Sequence, residues 1–169
     1  VSQRLRIWSA GCSSGEEPYT LAMTIKEAGR ALDGVDVRIL ATDLSERMLE
    51  KARCGTYSEE GMAEVPSPLR KKYFDPVDGD QWRVKPALKS LIQFAPLNLQ
   101  QPWPMKGPFH AIYCRNVMIY FDRDTRQKLV TRFSELLAPG GHFFVGHSES
   151  LTGVAHSLRY IEPAAYARD

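Results

Sequence analysis

The chain has 169 residues, 43% of them hydrophobic and 25% charged, enough for one globular domain with a sizeable core. A net charge of +2 is too mild to argue for nucleic acid or a membrane surface as partner, and three cysteines without CxxC spacing argue against a disulfide framework or a zinc site. No apolar run approaches the length of a membrane span and no signal-peptide pattern opens the chain, so a reducing, cytoplasmic setting without membrane insertion is expected.

Residues 5–10 read as a buried strand that starts abruptly, as expected of the C-terminal part of a longer protein. A tight loop with Gly11 and Gly15 follows, then a helix opening at Pro18, where a missing N–H costs nothing. Leu21, Ile25, Ala28 and Leu32 recur at helical spacing as its apolar face, and Gly34 is expected to end it. Residues 35–41 form a second buried strand ending in Thr42-Asp43. Ser45 caps a second helix to about Arg53, closed by Gly55.

From Thr56 the rhythm breaks. Prolines 66, 68, 76 and 86, and an Asp78-Gly-Asp80 turn before Gln81-Trp-Arg-Val84, suggest a hairpin within an inserted β-lobe at about 66–90. Residues 91–96 resume the sheet and lead into Leu97-Asn98-Leu99; residues 109–114 form the next buried strand. Asp122 or Asp124 caps an amphipathic helix with Leu129, Val130, Phe133, Leu136 and Leu137 on one stripe, which Pro139-Gly140-Gly141 should stop. Residues 142–147 give another strand, and 158–161 with 165–168 a final hairpin. The pattern is a doubly wound, mostly parallel α/β sheet with an antiparallel C-terminal edge.

In such a sheet, ligands gather beyond the C-terminal strand ends. The glycine loop is neither G-x-G-x-x-G nor a P-loop, and alone it is equally a plain tight turn. Glu16 and Glu17 at the helix mouth decide more. A helix N-terminus attracts phosphate, but two carboxylates there repel a pyrophosphate and favour a cationic cofactor such as S-adenosylmethionine over a nicotinamide dinucleotide. The bland alternative is dipole complementation by exposed acids. Asp43 ends the second strand, where it suits the hydroxyls of a ribose or a simple turn. Asn98 stands at the third strand end, facing an adenine or satisfying its own loop. Arg115-Asn116 directly after a buried strand is hard to explain by packing, and Tyr120 reads as a site hydroxyl or as packing with Phe121. His147-Ser148-Glu149 cannot be a triad, because consecutive residues cannot present nucleophile, base and orienter in order; it reads as support for the site floor. His110, His142 and His156 lack metal-ligand spacing, and the Asn/Asp-Pro-Pro-Tyr/Phe motif of base-amino methylases is absent.

Four stretches carry a family resemblance across the whole chain: Trp8-Ser-Ala-Gly-Cys-Ser-Ser-Gly-Glu-Glu-Pro-Tyr19, Ala41-Thr-Asp-Leu44, Phe109-His-Ala-Ile-Tyr-Cys-Arg-Asn-Val-Met-Ile-Tyr-Phe-Asp122 and Gly146-His-Ser-Glu-Ser150. They resemble the chemotaxis receptor methyltransferases of the CheR type. The resemblance implies a Rossmann-like class I methyltransferase domain over 1–169, S-adenosylmethionine as cofactor and S-adenosylhomocysteine as product. It further implies esterification of glutamate side chains in the cytoplasmic domain of methyl-accepting chemoreceptors. It places Glu17 on the methionine end of the cofactor, Asp43 on the ribose, and Asn98 with Leu99 beside the adenine. Arg115 and Asn116 would line the pocket, with Ala10, Gly11 and Met48 as further cofactor neighbours, and Tyr120 and Arg115 would serve the transfer itself. The family's N-terminal helical domain has no counterpart before Val1. The compact Val77-Asp-Gly-Asp80 loop departs from the longer loops of members that tether to a receptor's C-terminal pentapeptide, so tethering is not expected. The alternative function is a cofactor-binding signalling module that methylates nothing.

Overall fold

Strand β1 (Arg4–Ala10) lies at the middle of the sheet, and its residues from Ile7 onward are buried. It is followed by α1 (Glu16–Glu27), β2 (Asp36–Asp43) and α2 (Glu46–Cys54). A small lobe holds β3 (Thr56–Ser58), α3 (Ser67–Tyr73), β4 (Phe74–Val77), β5 (Gln81–Val84) and α4 (Pro86–Lys89). The main sheet resumes with β6 (Ile92–Pro96), β7 (Phe109–Cys114), α5 (Arg123–Leu136), β8 (Leu137–Val145), β9 (Arg159–Glu162) and β10 (Ala165–Ala167). The computed structural model describes residues 3–169.

Seven strands form one sheet in the order β6-β2-β1-β7-β8-β10-β9, parallel from β6 to β8 and antiparallel at the β8-β10-β9 edge. The doubly wound sheet read from the sequence is therefore present. Its order reverses between β1 and β7, the switch point at which such sheets open a crevice. Pairing of Ala10 with Thr42 and of Asp43 with Pro96 brings the C-terminal ends of β1, β2 and β6 to one edge.

Three elements depart from their sequence reading. Helix α1 opens at Glu16 rather than Pro18 and stops at Glu27, before a separate 3-10 turn at Gly29–Leu32. Its buried face is Pro18, Tyr19, Ala22 and Met23, whereas Leu21 and Ile25 are half-buried and Ala28 is exposed. Tyr19 decides the phase: its ring packs near Tyr57 and Phe94, and its hydroxyl donates to the Ala52 carbonyl at 2.6 Å. Helix α3 was not anticipated, because Pro66 and Pro68 read as breakers; they sit at the cap and first turn, where proline is tolerated. Finally, Pro139-Gly140-Gly141 does not separate helix from strand. β8 starts at Leu137 and carries these residues through a shift in its pairing with β7. Arg168 makes the abrupt change workable by donating to the carbonyls of Ser134 and Glu135 at 3.2 Å and of Leu137 at 2.5 Å, at the end of α5 where amide donors run out.

The caps at Ser45 and Asp122 are as read. Ser45 Oγ accepts from the Met48 amide at 3.3 Å, and Asp122 Oδ1 accepts from Thr125 at 2.8 Å. The lobe is a three-stranded antiparallel sheet in the order β3-β5-β4, and β3 lies upstream of residue 66.

Apolar side chains pack on both faces of the main sheet. One cluster centres on Trp8, Phe133 and Phe143, and the other on Tyr19, Met23, Ile39 and Leu88. Trp8 is fully buried, donates its indole N–H to Thr42 Oγ1 at 2.9 Å, and lies edge-on to Trp103 at 4.9 Å. The connection at 97–108 contains no helix. Trp103 covers Trp8 there, and the Arg132 guanidinium stacks on Trp103 at 3.8 Å. Among the described residues no helix is long and apolar enough to cross a membrane.

Candidate functional site

The loop after β1 is held by backbone atoms. The amides of Gly11 and Cys12 both donate to the Thr42 carbonyl, at 2.8 and 2.9 Å. Gly11 has φ +77, and a Cβ on it would stand 2.4 Å from Val117 Cγ2, so both conformation and space demand glycine. Asp43 ties the loop to the second strand end: its Oδ2 accepts from the Ser13 amide at 2.8 Å and its Oδ1 from the Ser45 amide at 2.9 Å. Each oxygen keeps a further lone pair for a ligand hydroxyl. The Tyr57 hydroxyl, from the lobe, donates to the Ser14 carbonyl at 2.7 Å.

The two glutamates at the mouth of α1 behave differently. Glu16 is exposed and accepts from Ser14 Oγ at 2.7 Å. Glu17 turns inward with its side chain 21% exposed, takes the Ser9 hydroxyl on Oε1 at 2.7 Å, and has Arg115 at 3.6 Å from Oε2. Burial pushes its carboxyl above the ordinary value of 4.5, against the pull of Ser9 and Arg115. The result is a recessed carboxylate whose cationic neighbour stands beyond hydrogen-bond length.

Across the crevice, β7 ends in the turn that carries Arg115, Asn116 and Tyr120. Asn116 is left-handed at φ 58, and its amide donates to Glu149 Oε2 at 2.8 Å. The same oxygen takes the Gly146 amide at 2.6 Å, and Oε1 takes the Ile119 amide at 3.2 Å. Glu149 therefore supports this wall through main-chain contacts, in keeping with His147-Ser148-Glu149 as a floor support. Tyr120 is 79% exposed at the lip, with Leu44 and Ile119 as further exposed apolar side chains.

A cleft of about 750 Å³ joins these groups. Gly11, Glu17, Asp43, Asn98, Leu99, Arg115, Asn116 and Tyr120 all line it. Of the remaining sequence candidates, Ala10 is fully buried beneath the loop and Met48 lies behind Ser13, its sulfur 3.6 Å from Ser13 Oγ; neither side chain is part of the wall. Clefts of similar size lie over the β2–β6 face and along α1, but Glu17, Asp43, Asn98 and Arg115 line neither. Among the described residues no group of three or more His, Cys, Asp or Glu side chains could hold a metal ion. Burial pushes the Cys12 thiol up to about 12, which leaves it a poor nucleophile.

Sequence reasoning missed Ser9 and Val117 as builders of the site, and gave Glu149 only within a stretch that supports its floor. Ser9 left a signal, a hydroxyl among the apolar residues Ile7, Trp8 and Ala10, and it is fully buried. The partners of Glu149 left none, since they are main-chain amides and those of Asn116 and Ile119 are distant in sequence.

Residues 1–167 match the family model described as CheR methyltransferase, SAM binding domain, SAM being S-adenosylmethionine. The chain is 43% identical over 170 residues to a chemotaxis protein methyltransferase of Borreliella burgdorferi, covering 99% of this chain and 60% of that protein. It is 42% identical over 164 residues to chemotaxis protein methyltransferase 1 of Pseudomonas aeruginosa, covering 95% and 60% respectively. The chain thus spans about 60% of the length of the curated relatives it matches. Among solved structures it is similar to the CcbJ methyltransferase of Streptomyces caelestis, with a TM-score of 0.52 at 18% identity over 83% of this chain and 44% of that one. That likeness bears on the fold, which is that of the class I methyltransferases.

Proposed function

Because the chain belongs to the CheR methyltransferase family as its S-adenosylmethionine-binding domain, we propose that its natural activity is methyl transfer to glutamate carboxylates in the cytoplasmic domain of methyl-accepting chemoreceptors. The observation that carries this reading is Glu17, a recessed carboxylate at a helix mouth where a phosphate-bearing cofactor would be repelled. The donor set suits S-adenosylmethionine. Glu17 would take the ammonium of the methionine end, the free lone pairs of Asp43 the ribose hydroxyls, and Asn98 with Leu99 would flank the adenine. Bound there, the cofactor supplies a methyl group on a sulfonium, which a carboxylate already ionised at neutral pH can accept without a general base.

The chain's own part is therefore orientation and exclusion of water rather than proton transfer. Arg115 stands between Glu17 and the lip and keeps the wall cationic where an acidic side chain must enter. Tyr120, at the exposed lip, offers its hydroxyl to the incoming carboxylate, and Leu44 and Ile119 give that entrance an apolar surface. We take residues 1–169 as one cytoplasmic methyltransferase domain, with the three-stranded sheet as its inserted lobe.

The test has two stages. Titration calorimetry with S-adenosylmethionine, against a nicotinamide dinucleotide as control, should give binding for the first alone. Radiolabelled methyl transfer to a chemoreceptor cytoplasmic fragment should then give base-labile label on glutamates. Absence of S-adenosylmethionine binding would sink the reading, and binding without transfer would favour a cofactor-sensing module.

A further inference from the structure

We propose that Glu149 is a positioning residue for this site, setting where Asn116 and Tyr120 stand in the cleft. The proposal rests on the reading of the cleft as an S-adenosylmethionine site. Its ground is a single half-buried carboxylate that accepts from three main-chain amides, Asn116 at 2.8 Å, Gly146 at 2.6 Å and Ile119 at 3.2 Å. Charge-assisted bonds of this kind are shorter and stronger than neutral ones. They join the end of β8 to the turn after β7, two segments with no strand pairing beyond Cys114 and Val145.

The surrounding geometry is built for that contact. A Cβ on Gly146 would sit 2.4 Å from Asn116 Oδ1 and 2.8 Å from Glu149 Oε2, so the bare glycine is what admits both groups. Asn116 holds φ 58, a conformation that a non-glycine residue keeps only when its surroundings impose it. The turn so fixed presents Asn116, Val117 and Tyr120 to the cleft, and Val117 in turn abuts Gly11 of the first loop. His147 and Ser148 beside Glu149 are exposed, which leaves Glu149 as the residue of that segment that reaches inward. Positioning groups behind the contact shell commonly decide how precisely a site is held.

Glu149→Gln tests this with little change of shape. The amide keeps one acceptor oxygen and turns its NH2 toward a backbone N–H, so one limb of the clamp must open. In the variant, amide hydrogen exchange should lose at least about tenfold protection at Asn116 or Ile119, while Ile39 in β2 keeps its own. S-adenosylmethionine affinity should weaken about tenfold, the effect of one lost charge-assisted bond. Affinity within twofold of wild type would overturn the proposal, as would a loss of protection spread evenly over the sheet, which marks a merely structural role. If Glu149→Gln does not fold, the wild type decides: those three amides exchanging as fast as open-loop amides would overturn the clamp, and slow exchange supports it. Wild-type protein that binds no S-adenosylmethionine would sink the cofactor reading and this proposal together, whereas normal wild-type binding with an indifferent Glu149→Gln sinks this proposal alone.

Discussion

The Ser9 hydroxyl donates to Glu17 Oε1 at 2.7 Å, so the central strand itself aims the carboxylate at the head of the first helix. Burial raises the Glu17 carboxyl above 4.5. Between that value and the raised one, the native protein holds a proton that the unfolded chain has lost, so cofactor-free stability falls as pH rises across the window. Glu17→Gln removes that loss. At pH 7 the variant should melt higher than wild type without cofactor, yet bind S-adenosylmethionine at least about tenfold more weakly, since a charged hydrogen bond contributes about 1.5–3 kcal/mol. Scanning calorimetry paired with titration checks both halves, and wild-type affinity in the variant would remove Glu17 from the site.

Asp43 has two duties, one to each flanking amide. Asp43→Ala should leave the Ser13 amide unpaired and loosen the glycine loop, lowering stability by about 1–2 kcal/mol and affinity by more than tenfold. Asp43→Asn should restore only part of the stability and little of the affinity, because one of its two acceptors becomes an NH2 that faces a backbone N–H. Urea unfolding and calorimetry on the two variants separate loop anchoring from ligand contact; equal losses in both would reject the dual assignment.

Tyr120 stands exposed, and its hydroxyl has no hydrogen-bond partner among the described residues, so Tyr120→Phe should not change the fold. Turnover on a receptor fragment should fall about 10- to 100-fold, the usual reach of one orienting group, with cofactor affinity nearly intact. A large affinity loss would refute the role at the lip.

Beneath the site, Trp8 is the test of the core. Trp8→Phe leaves Thr42 Oγ1 without its 2.9 Å donor and opens space beside Trp103 and Phe133. The cost should be about 2–3 kcal/mol from a lost buried partner and a small cavity. Denaturant unfolding reads it directly, and a change below about 1 kcal/mol would show that the core relaxes around the loss.

Much of this molecule can be read along the chain because its signals are local. The caps at Ser45 and Asp122, the Gly55 stop and the buried strands each depend on a few neighbouring residues. The misread elements depend on distant partners. The phase of α1 follows from Tyr19 reaching Ala52, and the bare junction of α5 with β8 depends on Arg168 near the other end of the chain. In the site, the acids at strand and helix ends were visible from position alone. Ser9, which aims Glu17, became visible only when the strands were laid side by side, and so did the amides that Glu149 holds.

The crossover at 97–108 has a mechanical consequence. Trp103 and Arg132 both donate to the Leu99 carbonyl, at 3.1 and 2.8 Å, and Leu99 belongs to the cleft wall. Arg132 is rooted in α5, a helix that never reaches the cleft. The Leu99 side of the cleft is thus guyed from behind like a mast, and its stiffness is set by a side chain that does not itself line the cleft.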